Sequence, residues 1–208
     1  MKKVAVLALL FGSSLAISSS VQAGDATAGA QKAVQCAACH GQDGNSIDPQ
    51  WPKLAGQNEK YLLKQIEDFR LGAQEAGKGR AGLQMAGLWG GVSEEDAENI
   101  AAFFSAQQTQ LGAVKADFVE LGKKIYFQGD AERGVPACSA CHGATGKGLN
   151  AAGYPSVSGQ YPTYTIKQLK AFSSAERNND DNGVMRDIAV RMSDAQIEAV
   201  ANFMLGLH

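Results

Sequence analysis

Two pentapeptides, Cys36-Ala37-Ala38-Cys39-His40 and Cys138-Ser139-Ala140-Cys141-His142, contain every cysteine of this 208-residue chain and two of its three histidines. C-x-x-C-H is the attachment signal for haem c. Two thiols at this spacing add across the two vinyl groups of the porphyrin. The next residue, at the start of a helical turn, brings an imidazole under the iron. A four-cysteine zinc site uses the same pairs but gives no reason for a histidine after each. Two disulfides leave the histidines equally unexplained, and a thioredoxin-type pair belongs in a strand–helix context that the chain lacks. The chain is therefore expected to carry two covalent haem c groups. Cys36, Cys39, Cys138 and Cys141 are the attachment points, and His40 and His142 each give one axial iron ligand.

The rest of the chain is a tandem repeat built around the two motifs. Trp51-Pro52-Lys53-Leu54-Ala55-Gly56-Gln57 matches Tyr154-Pro155-Ser156-Val157-Ser158-Gly159-Gln160. Tyr61-Leu62-Leu63-Lys64-Gln65-Ile66 matches Tyr164-Thr165-Ile166-Lys167-Gln168-Leu169, and Phe69 then matches Phe172. The run from Ser93 to Phe103 matches the run from Ser193 to Phe203. Each copy reads as helices and loops. An Ala-rich helix is expected over 26–35. Leu62, Leu63, Ile66 and Phe69 mark a helical face over 60–70. Ser93 and Ser193 are N-cap residues with acidic residues in the turn that follows. No run alternates as a strand does, so each copy is expected to be all-α. The domains are expected at 24–107 and 117–208, joined by a linker at 108–116. Residues 126–137 lengthen the approach to the second pentapeptide relative to the first.

The N-terminus reads as a removable secretory signal. Lys2 and Lys3 precede an apolar stretch at 4–11, and Val21-Gln22-Ala23 supplies the small residues of a cleavage site. That run is short and interrupted for a membrane anchor. Residues 1–23 are thus expected to be removed, leaving a soluble periplasmic protein, where bacterial haem c attachment takes place. Domains of about 90 residues gain from a large apolar plate in the core. Residues 24–113 carry 7 basic and 11 acidic side chains, and residues 114–208 carry 10 of each. Neither half has the basic stripe that nucleic-acid binding needs.

C-x-x-C-H supplies one axial ligand, and the other decides whether the iron is open to small molecules or closed for electron transfer. His208 is the only spare histidine and cannot serve two irons. Met85 lies eight residues before Ser93 and Met185 eight residues before Ser193, at 45 and 43 residues beyond His40 and His142. That equivalence assigns Met85 and Met185 as the second ligands, with Met192 the competitor in the second half. A neutral thioether favours Fe(II) and raises the potential.

These motifs, each present twice in the same order, resemble the dihaem cytochrome c4 family over nearly all of residues 24–208. The resemblance implies two tandem class I cytochrome c domains related by a pseudo-twofold axis. It implies delivery of electrons to a haem–copper terminal oxidase, with attachment in many members to the outer face of the membrane. It also implies that a proline carbonyl hydrogen-bonds the free nitrogen of each axial histidine. Pro52 and Pro155 match that position; turn formation alone is the other reading for them. Tyr61, Tyr164, Trp51 and Trp89 are candidates to line the haem crevices, against ordinary core packing. Arg70, Arg80 and Arg177 are candidates to face propionates, although a solvated face suits any one of them better.

The expected function is electron transfer between redox proteins, a donor upstream and a terminal oxidase downstream, without catalysis and without a small-molecule substrate. A cytochrome subunit of a periplasmic dehydrogenase has the same motifs and stays open as an alternative. A dihaem peroxidase is less consistent with two methionine-closed irons.

Overall fold

The computed structural model describes residues 24–208 apart from Gly90, with nothing to add on the side chains of Leu83 and Ala86; the signal-peptide expectation for residues 1–23 lies outside the described residues. Among the described residues there are ten α-helices: α1 Ala26–Lys32, α2 Val34–His40, α3 Glu59–Gln74, α4 Leu83–Ala86, α5 Glu94–Ser105, α6 Ala116–Gln128, α7 Ser139–His142, α8 Pro162–Ser173, α9 Val184–Ala189 and α10 Asp194–Leu205. They contain no strand, only isolated bridges at Asp130–Val135 and Leu149–Tyr154. The fold is all-α, as the residue pattern indicates.

Local chemistry sets the helix bounds. Ser93 Oγ accepts from the Asp96 N–H at 3.0 Å, and Glu94, Glu95 and Asp96 place negative charge on the first turn of α5. At α10 the cap is reciprocal: Ser193 Oγ accepts from Gln196 N, and Gln196 Oε1 accepts from Ser193 N at 2.9 Å. The helix expected over 26–35 divides at Ala33. Its N–H closes α1 onto Gly29 O, while its carbonyl accepts the Cys36 N–H at 2.9 Å and starts α2. The break turns the pentapeptide inward on a helix of its own. The extra residues before the second pentapeptide form a short bridged turn, with Asp130 and Val135 exchanging two 2.8 Å backbone bonds.

Each half closes its own core. Cys36, Leu62, Ile66, Trp89, Ala97, Ile100 and Phe104 belong to the first. Ile125, Tyr126, Leu169, Met192, Ile197, Val200 and Met204 belong to the second. The frame is the same in both: α1 crosses α5 and α6 crosses α10. At each crossing a glycine faces backbone. A Cβ on Gly29 would lie 1.9 Å from Asn99 O, and one on Gly122 would lie 2.5 Å from Ala199 O. Only a residue without a side chain allows this approach. Residues 106–115 run between the halves without helix or strand.

Candidate functional site: two histidine pockets and the seam between them

The same arrangement is built twice. His40 ends α2 and His142 ends α7, and the chain turns away at once through Gly41 (φ 81°) and Gly143 (φ 76°). That backbone region costs most residues energy and costs glycine little. His40 Nδ1 lies 2.8 Å from the Pro52 carbonyl and His142 Nδ1 2.9 Å from the Pro155 carbonyl. A carbonyl only accepts, so Nδ1 carries the proton in both rings and Nε2 is left as the lone-pair nitrogen. Burial pushes both imidazoles below their ordinary pKa, against the opposing pull of the proline bonds. A neutral imidazole with a fixed tautomer is what a metal ligand must be.

The four cysteines are unpaired thiols. Cys36 lies in the first core, and Cys138 packs against the second. Burial raises the Cys36 thiol, and burial raises that of Cys138 to about 11. Met85 packs on the same core as Cys36, and Met185 on the same core as Cys138. The fold therefore brings a pentapeptide cysteine and a methionine to one core in each half, although α4 and α9, which carry the methionines, are far along the chain. Met192 is fully buried as part of the second core, whereas Met185 is partly exposed at its edge.

Between the halves lies a polar seam. Arg80 donates to Gln65 Oε1 (2.8 Å), Tyr164 OH (2.9 Å) and Gln168 Oε1 (2.8 Å). Arg177 mirrors it, donating to Gln168 Oε1 (2.9 Å), Tyr61 OH (2.9 Å) and Gln65 Oε1 (3.1 Å). Two guanidiniums thus share two glutamine oxygens, and all of these acceptors are neutral. Burial alone would raise the Tyr61 phenol, but the charges of Arg177 and Arg80 outweigh it and hold the phenol below its ordinary range. Arg80 and Arg177 are therefore seam residues, where a solvated face had been the better expectation. Arg70 instead donates to Ser93 O at 3.1 Å and to Val92 O. Trp89 Nε1 is a buried donor without a protein partner.

These residues fit haem c. Each half offers two free thiols, a neutral imidazole with Nε2 unengaged, and a thioether on the same core. Among the described residues no carboxylate bonds either seam arginine directly, Asp68 acting on Arg80 only through its charge, and an anionic edge such as a propionate suits them. Haem bound there supplies a one-electron Fe(III)/Fe(II) couple. The seam glutamines Gln65 and Gln168 hold equivalent positions in the repeat, and a second equivalent pair, Gln57 and Gln160, ends the repeated Pro-x-Leu/Val-x-Gly-Gln segments.

Comparison with known proteins agrees with this geometry. The cytochrome c family model matches residues 26–107 and again 119–208. Cytochrome c4 of Azotobacter vinelandii is 45% identical over 190 residues, 89% of this chain and 90% of its own. The thiosulfate dehydrogenase electron acceptor of Stutzerimonas stutzeri is 35% identical over 175 residues, 82% of this chain and 78% of its own. The crystal structure of reduced recombinant cytochrome c4 from Pseudomonas stutzeri superposes with a TM-score of 0.87 at 44% identity, covering 89% of this chain and all of that one. Two cytochrome c domains in one chain, with a cytochrome c4 relative and a cytochrome c4 crystal structure that each cover 89% of it, place this protein in the cytochrome c4 family of electron-transfer proteins with two covalently bound haem c groups.

Proposed function

We propose that this chain carries electrons one at a time between redox proteins of the bacterial periplasm, accepting them from an upstream donor and passing them to a haem–copper terminal oxidase. In this reading residues 1–23 are the export signal, 24–107 and 117–208 are the two domains, and 108–116 join them. Cys36 and Cys39 attach the first haem, and Cys138 and Cys141 the second. His40 with Met85, and His142 with Met185, are the axial pairs. Pro52 and Pro155 orient the histidines through the 2.8 and 2.9 Å bonds to Nδ1.

The observation that carries the reading is duplication: each half holds a histidine fixed by a proline carbonyl and a methionine packed on its own core. Two protein ligands leave no position for a substrate, and six-coordinate iron reorganises little between oxidation states. Met185 is preferred over Met192 because it is the partner of Met85 in the repeat and sits at the rim of its core. No helix among the described residues is long and apolar enough to cross a membrane, so any membrane association of the folded part is peripheral.

The test is to mix the reduced holoprotein with oxygenated membranes containing a haem–copper oxidase and follow the loss of the reduced haem bands. Rapid, oxidase-inhibitor-sensitive oxidation supports the reading. The relative named as a thiosulfate dehydrogenase electron acceptor favours one alternative. Slow oxidation there, with fast reduction by a purified thiosulfate-oxidising dehydrogenase, would assign the chain to that enzyme instead.

A further inference from the structure

From each half a second glutamine amide reaches across the seam, this time to backbone of the other half. Gln57 Oε1 accepts from the Ser156 N–H at 2.7 Å, and Gln57 Nε2 donates to the Ser156 carbonyl at 2.8 Å. Gln160 treats Lys53 in the same way, at 3.0 and 2.9 Å. Each amide oxygen also accepts the N–H of its own next residue, Asn58 at 2.8 Å and Tyr161 at 3.0 Å, and each amide nitrogen donates to a C=O, so the partners fix which end is oxygen.

The grasped N–H groups have a particular place in the chain. The Ser156 N–H and the Pro155 C=O are two ends of a single peptide group, and that C=O takes the His142 Nδ1 proton. The Lys53 N–H and the Pro52 C=O are likewise one peptide group, and that C=O takes the His40 Nδ1 proton. Resonance joins the two ends of a peptide. An acceptor placed on its N–H therefore puts more negative charge on its oxygen, and hydrogen bonds in series strengthen one another by roughly 10–30% per bond. A stronger acceptor at Nδ1 makes the imidazole a stronger donor to its metal.

We infer that Gln57 and Gln160 are cross-domain positioning residues, each setting through one peptide group the donor strength of the axial histidine in the opposite half. The inference rests on the axial ligation proposed above. Gln57 in the first domain thus tunes the second haem, and Gln160 in the second domain tunes the first. The sign follows from the chemistry: a more electron-rich imidazole favours Fe(III), so each glutamine lowers the potential of the haem across the seam. The second relay has the shorter first link, 2.7 against 3.0 Å, and Gln57 is buried. Loss of Gln57 therefore has the larger effect.

The experiment is a redox titration of the two-haem holoprotein carrying Gln57→Leu or Gln160→Leu. Each is also made with Met85→His or Met185→His, which moves one haem to much lower potential and isolates the wave of the other. The second readout is the Nδ1 proton resonance of each axial histidine in the reduced protein. Gln57→Leu raises the second-domain wave and moves the His142 Nδ1 proton upfield, leaving the first-domain wave and His40 in place. Gln160→Leu does the reverse. Gln57→Glu keeps an oxygen acceptor for the Ser156 N–H and moves the His142 proton downfield, opposite to leucine, whereas simple loosening of the seam moves both variants the same way. A shift confined to the glutamine's own half, an equal shift of both waves, or no shift overturns the relay. Absence of methionine-ligation spectra in the unaltered protein overturns the ligand assignment itself, and the relay with it.

Discussion

Gly29→Ala tests the frame on which the first pocket hangs. The added Cβ would meet Asn99 O at 1.9 Å, Asn99 C at 2.5 Å and Phe103 Cβ at 2.9 Å. The first two are backbone atoms of α5 and cannot swing aside, so α1 must retreat by about 1 Å or more to restore ordinary contact. Overpacking of this kind costs about 1–3 kcal/mol. Alanine returns up to about 1 kcal/mol in helix propensity. With backbone as the obstacle the cost belongs at the upper end, and the net loss is about 1–2 kcal/mol. For a domain of this size that lowers the melting temperature by about 4–16 °C. The assay is thermal unfolding of the oxidised holoprotein followed by circular dichroism, with the sulfur-to-iron band recorded in parallel. A Gly29→Ala protein that melts at or above the unaltered protein refutes the close helix crossing.

Other outcomes follow from the same geometry. Ser193→Ala removes the side-chain half of the reciprocal cap on α10, the bond from the Gln196 N–H to Ser193 Oγ, and is expected to destabilise the second domain by about 1 kcal/mol, read as a lower denaturant midpoint. Burial raises the Asp180 carboxyl, but bonds from the Arg186 N–H (3.0 Å) and guanidinium (2.8 Å) prevail and hold it below the ordinary carboxylate range. A lowered folded pKa gives stability that is present above the unfolded value of about 3.9 and is lost as pH falls through the folded value. Asp180→Asn is therefore expected to weaken the second domain at neutral pH and to flatten its acid dependence below about pH 4, measured by melts across pH. Met85→Ala and Met185→Ala are each expected to abolish one of the two methionine-ligation signatures in the optical spectrum and leave the other.

Much of the site was legible from residue order because its parts are local. C-x-x-C-H places thiols and imidazole within one helical turn, and α2 and α7 show them so placed. The caps at Ser93 and Ser193 are likewise decided within four residues, and both appear as read. The duplication carried the pairing of Met85 with Met185 onto two separate cores. What the residues did not reveal depends on a second segment. Gly29 and Gly122 look like any helix glycine until α5 and α10 are laid across them. Arg80 and Arg177 look solvated because each takes part of its acceptors from the opposite half: Tyr164 and Gln168 for Arg80, Tyr61 and Gln65 for Arg177. The break at Ala33 was hidden inside a run of good helix formers, since it serves the inward turn of Cys36 and not a local propensity. The repeated glutamine at 57 and 160 was visible, but its reach to the other half's proline peptide was not, because a repeat aligns each copy with itself and says nothing of how two copies meet.

The most direct test of the central claim is an optical and paramagnetic-resonance spectrum of the purified oxidised holoprotein combined with a redox titration. The account predicts two low-spin haems, far-red sulfur-to-iron absorption from both, and two positive midpoint potentials. A high-spin haem, or a haem held by two histidines, in the unaltered protein would contradict it.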